Sequence, residues 1–92
     1  MPKFVIERTL PGAGTLTAED LAAISHKSCG VLTGMQGRAQ WLESFVTEDK
    51  IFCVYIAEDA DALREHGQAG GFPVDAVHRV SAVIDPTTAG SS

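Results

Sequence analysis

Apolar and polar positions alternate from Lys3 to Thr9 (KFVIERT), in a stretch rich in strand-forming residues. That period of two predicts a first strand. Pro11-Gly12-Ala13-Gly14 breaks it, and the period then changes. Leu21, Ile24, Ser28, Val31 and Met35 recur three or four positions apart, which predicts a helix with one buried stripe. Thr17, with Asp20 three residues on, predicts a capping box at its start, and Gly34 a stop. Arg38 to Thr47 (RAQWLESFVT) and Lys50 to Ala57 (KIFCVYIA) read as two further strands. Only Glu48-Asp49 and their neighbours separate them, so they should form an antiparallel hairpin. Asp59 or Asp61 caps a second helix that runs to about Gln68. Gly70-Gly71 ends it and Pro73 prevents its resumption. Ala76 to Asp85 (AVHRVSAVID) is the expected fourth strand.

The order β-α-β-β-α-β predicts an α+β, ferredoxin-like fold: a four-stranded antiparallel sheet with both helices on one face. At 92 residues the chain is expected to be one domain over 1–86, with a frayed polar tail over 87–92.

Strand parity then assigns faces. Phe4 and Ile6, then Phe52, Val54 and Ile56, then Val80, Ala82 and Ile84 are expected beneath the helices. The second strand decides the register. Pairing Leu42 with Val54 keeps Glu43 out of the core, where an unpaired carboxylate costs several kcal/mol. That choice implies a three-residue turn or bulge near Glu48-Asp49. It leaves Glu7, Trp41, Glu43, Phe45, Cys53 and Tyr55, with Arg79 and Ser81, on the uncovered face. An aromatic face of that kind marks a dimer interface or a ligand site.

Composition narrows the function. The net charge of −5 argues against nucleic acid and against anionic membrane surfaces, which both need a basic patch. No apolar run approaches the roughly 20 residues of a membrane span. The N-terminus lacks a signal-peptide core, so a cytoplasmic location is expected. Cys29 and Cys53 form no CxxC and no disulfide framework. No P-loop, dinucleotide fingerprint, nucleophile elbow or HExxH is present.

The remaining candidates are single residues. Glu7 and Glu43 are acid–base groups or metal ligands, or Glu7 is an ion-pair partner of Arg79 or Arg8. Cys53 becomes reactive if Arg79 makes its surroundings electropositive, and otherwise packs. His66 is a ligand, an acid–base group, or a cap on the last carbonyls of the second helix. Trp41, Tyr55 and Arg79 form the candidate ligand pocket. His26 is expected in solvent, and His78 has no evident partner.

Several segments together resemble a known family. They include Val5-Ile6-Glu7-Arg8, Leu10-Pro11-Gly12-Ala13-Gly14, Gln40-Trp41-Leu42-Glu43-Ser44, Cys53-Val54-Tyr55-Ile56-Ala57, Arg64-Glu65-His66, Gly70-Gly71-Phe72-Pro73 and Val83-Ile84-Asp85-Pro86. The chain resembles the bacterial nickel-binding protein family of small ferredoxin-like dimers along nearly its whole length. The resemblance implies a homodimer and a site for nickel or a similar divalent ion, in which only His66 and Cys53 match ligand-like positions of the family; with Glu7 and Glu43 they form the candidate ligand set here. It also implies histidines at two positions where this chain has Ser25 and Phe72. The expected function is therefore metal binding without catalysis. The alternative is a small-molecule-binding dimer, or a cofactor-free enzyme of the dimeric α+β barrel type, that uses the open sheet face.

Overall fold

The computed structural model describes residues 1–90. Its elements follow the predicted order: β1 (Lys3–Thr9), α1 (Ala18–Thr33), β2 (Ala39–Val46), β3 (Lys50–Ala57), α2 (Ala60–Gly70) and β4 (Ala76–Arg79). The strands form one sheet in the order β2-β3-β1-β4, with every neighbouring pair antiparallel. This is the ferredoxin-like plan.

Local chemistry sets the helix ends. Thr17 and Asp20 form the predicted capping box, with Asp20 N–H donating to Thr17 Oγ1 at 3.1 Å and Thr17 N–H to Asp20 Oδ2 at 3.0 Å. Asp59 caps α2 by accepting from Ala62 N–H at 2.8 Å. Gly71 then turns the chain at φ +71°, a conformation that favours glycine.

One face of the sheet carries Phe4, Ile6 and Arg8 from β1 and Ile51, Cys53, Tyr55 and Ala57 from β3, all buried. Parity on β3 is thus the reverse of that predicted. Cys53 pairs with Ile6 and Tyr55 with Phe4, so both lie beneath the helices. Phe52, Val54 and Ile56 lie on the open face. Apart from Lys50 at the start of the open side, both faces of β3 are apolar, so its own alternation barely distinguishes them, and the pairing with β1 decides.

The register of β2 also differs. Trp41 pairs with Tyr55 and Glu43 with Val54, so Leu42 forms a bulge within the strand rather than near Glu48-Asp49. The bulge puts Trp41 on the covered face and Glu43 and Phe45 on the open one. Glu43 stays out of the core, by a different device from the one expected. β4 is shorter than predicted. Val80 N–H donates to Lys3 O at 2.9 Å, and the segment beyond leaves the sheet, exposing Val83 and Ile84. Across the expected boundary between the domain and the tail over 87–92, Pro86–Ala89 forms a short 3-10 turn, and residues 91 and 92 lie outside the described residues.

Candidate functional site

The inward parity of β1 brings an arginine under the helices. Arg8 follows Phe4 and Ile6 at steps of two and is buried with them. One guanidinium nitrogen, Nη1, donates to Pro73 O at 2.6 Å. The guanidinium carbon lies 5.6 Å from the centre of the Phe72 ring, within cation–π range. Nη2 is buried with no partner. Among the described residues, no carboxylate forms an ion pair with Arg8.

Beside Arg8 lies a buried polar cluster. His66 sits on the inner face of α2, three residues after Leu63, and both are fully buried. Its Nε2 is 3.1 Å from Ser28 Oγ on α1, and its Nδ1 has no partner. Its ring is 5.4 Å from that of Tyr55 and 5.6 Å from that of Phe72. His66 therefore does not cap the end of α2. Burial pushes its pKa down, and the nearby Arg8 charge adds to that, so it is neutral at pH 7. Burial pushes the Tyr55 phenol up, against smaller opposing effects of Ser28 and Arg8.

Arg8, Ser28, Tyr55 and Phe72, but not His66, border a cavity of about 240 Å³ between α1 and the sheet. Leu21, Ile24, Ser25 and Ser28 recur at helical spacing and form its α1 wall. Trp41, Ser44 and Val46 come from β2, and Ile51, Cys53 and Tyr55 from β3. Arg8 lies at the sheet side, and Gly71, Phe72 and Pro73 close one end. Trp41 Nε1–H donates to Ser44 Oγ at 2.9 Å across the bulge, so the indole nitrogen is satisfied and its ring lines an apolar wall.

The predicted site residues divide between two faces. Trp41, Cys53 and Tyr55 line the cavity on the helix side, with His66 behind Ser28. Glu7 and Glu43 lie on the open face, and Arg79 stands exposed at the sheet edge opposite Phe4. Glu7 pairs with neither Arg8 nor Arg79. It accepts from Lys50 Nζ at 2.9 Å, and its other oxygen is 3.7 Å from His78 Nε2. The Lys50 bond and charge hold the Glu7 carboxyl below its ordinary range. Among the described residues, no three His, Cys, Asp or Glu side chains come together as a metal site. Sequence reasoning missed Arg8 and Ser28 as site residues. The signal for Arg8 was its shared parity with Phe4 and Ile6.

The Ser28–His66 contact has the spacing of a nucleophile and base, but no group orients Nδ1.

The sequence model described as nickel responsive protein SCO4226-like matches residues 4–80, most of the chain. The chain belongs to that family. Its structure is similar to the crystal structure of SCO4226 from Streptomyces coelicolor A3(2), with a TM-score of 0.75 at 15% identity. The match covers 89% of this chain and 99% of that one, and at this identity it shows a shared fold. No curated protein matches the chain. No helix among the described residues is long and apolar enough to cross a membrane.

Proposed function

We propose that this member of the nickel-responsive family binds a small organic molecule in the cavity between α1 and the sheet. The observation that supports this is the cavity itself, about 240 Å³ and walled mainly by apolar side chains. It opens to the surface past Val46, Gly71 and Pro73, and an apolar concavity with a few polar groups is the usual form of a small-molecule site. A domain of this size has little core to spare. Trp41 is the single tryptophan and lines the cavity, so its emission reports an occupant. Titration with neutral apolar probes such as hexanol or toluene should shift that emission saturably and raise Tm. Ser25→Phe, which fills the cavity from α1, should abolish both effects. A folded protein that responds to no apolar probe would refute the proposal.

The family description favours a second reading, a response to nickel. The donors within one chain do not fit a complete site. Cys53 and His66 share the helix side with the Arg8 cation, which repels a metal ion, and Glu7 and Glu43 lie across the sheet. Ser25 and Phe72, where the resemblance implies histidines, both line the cavity and provide only a hydroxyl and a phenyl ring. Nickel prefers imidazole and carboxylate donors. The open face offers one such pair, Glu7 and His78. Metal binding would thus need donors from two copies. A homodimer packed through the open face is part of the same reading, because Phe45 is exposed there opposite Phe52, and a twofold axis would pair two such patches. Calorimetry of untagged protein with nickel tests this reading. Binding that is lost in His78→Ala supports it, and no binding refutes it.

A further inference from the structure

We infer that the cavity selects a small organic carboxylate, its charge held by Arg8 and its apolar body by the α1 and β2 walls; this rests on the cavity reading above. Arg8 is only 5% exposed, yet one of its terminal nitrogens has no hydrogen-bond partner, and among the described residues no carboxylate neutralises it. An uncompensated buried guanidinium is costly, and an anion beside it removes that cost. The Pro73 carbonyl and the Phe72 ring hold the guanidinium in place but supply no counter-charge.

A second cation lies close by. Lys27 on α1 places its ammonium 5.7 Å from the centre of the Phe72 ring, outside the cavity lining. Two cations from different elements are therefore near the aromatic residue at that end, in a chain of net charge −5. Only Arg8 is buried, so the interior balances one negative charge. That matches a carboxylate better than a phosphate dianion, whose second charge would stay uncompensated.

Volume and wall chemistry set the rest of the ligand. A cavity of about 150 Å³ holds benzene. One of about 240 Å³ has room for a ring with a short acid arm, or an aliphatic chain of comparable bulk. Ser28 and Ser44 add hydroxyls to the lining, while Leu21, Ile24, Val46 and Ile51 provide no polar contact.

Phenylacetate and its uncharged isostere phenylacetamide test this on the unmodified protein, by Trp41 emission and by calorimetry. Phenylacetate should bind saturably and at least tenfold tighter than the amide. Arg8→Met, which removes the charge at similar length, should erase that preference while the cavity still takes up toluene. Equal binding of acid and amide overturns the inference but leaves the cavity reading intact. Tighter binding of phenyl phosphate than of phenylacetate overturns the choice of carboxylate. Failure of toluene and phenylacetate alike refutes both proposals. The comparison of acid with amide needs no variant, so it decides the question even if Arg8→Met does not fold.

Discussion

His66 Nε2 lies 3.1 Å from Ser28 Oγ, joining α2 to α1 in a buried contact between residues 38 positions apart. It is the one hydrogen bond of an imidazole whose other nitrogen has no partner. Ser28→Ala should leave both ring nitrogens unsatisfied, at a cost of about 1–3 kcal/mol. In a domain of this size, each kcal/mol lowers Tm by roughly 4–8 °C. Thermal unfolding followed by circular dichroism measures the loss.

The same imidazole predicts an acid sensitivity. Its folded-state pKa lies below the unfolded value of 6.5. Below pH 6.5 the unfolded chain therefore binds the proton that the folded chain resists. The stabilising contribution is complete above pH 6.5 and is lost as pH falls from there toward the folded pKa. The slope approaches at most about 1.4 kcal/mol per pH unit. Glu7 and Asp20, whose pKa values are lowered from 4.5 and 3.8, act only in more acidic solution. Chemical denaturation between pH 7.5 and 5 should show the decline, and His66→Gln should flatten it.

Two helical glycines should respond in opposite directions to alanine. A methyl group on Gly30 in α1 meets nothing within 4 Å. Gly30→Ala should stabilise by about 1 kcal/mol through helix propensity alone. A methyl group on Gly67 in α2 would stand 2.6 Å from Val74 Cγ2 and 3.3 Å from Phe72 O. Gly67→Ala should destabilise by about 1–3 kcal/mol despite the same propensity gain. Urea midpoints of the two variants provide the comparison.

The open face predicts an assembly phenotype. Phe45 is exposed and pairs across the strands with Phe52. If two copies pack through this face, Phe45→Glu should give a monomer in sedimentation equilibrium, with the cavity still competent for toluene. A sedimentation mass unchanged from the wild type would place any dimer contact elsewhere.

Much of the fold was legible because its signals are local. The Thr17–Asp20 box, the change from strand to helix period after Gly14, and the Gly70-Gly71 stop each depend on residues close in sequence. The site was less legible because it depends on pairing. In KIFCVYIA every residue after Lys50 is apolar or aromatic, so the only mark of the outward side is one lysine at the strand's first position, where a charge can sit on either face of a fraying end. Glu43 correctly signalled a surface position, but a turn irregularity and a bulge at Leu42 both satisfy that signal, and they place Trp41 on opposite faces. Arg8 entered only as an ion-pair partner for Glu7, because a charged residue is rarely buried without a counter-charge. His66 was identified as a candidate, but its partner Ser28 lies on the other helix, and no local pattern links them.

The bulge at Leu42 makes β2 a strand read in two frames. Before it, odd positions such as Ala39 and Trp41 face the helices; after it, even positions such as Ser44 and Val46 do. A β2 of the same length that lost the bulge would be forced to keep only one frame. Keeping the first would carry Glu43 inward, and keeping the second would turn Trp41 out and open the cavity wall. Removing Leu42 instead would let Trp41 and Glu43 pair as neighbours with Tyr55 and Val54, so the chamber depends on the bulge absorbing the surplus residue, while substitutions elsewhere in the wall only adjust its fit.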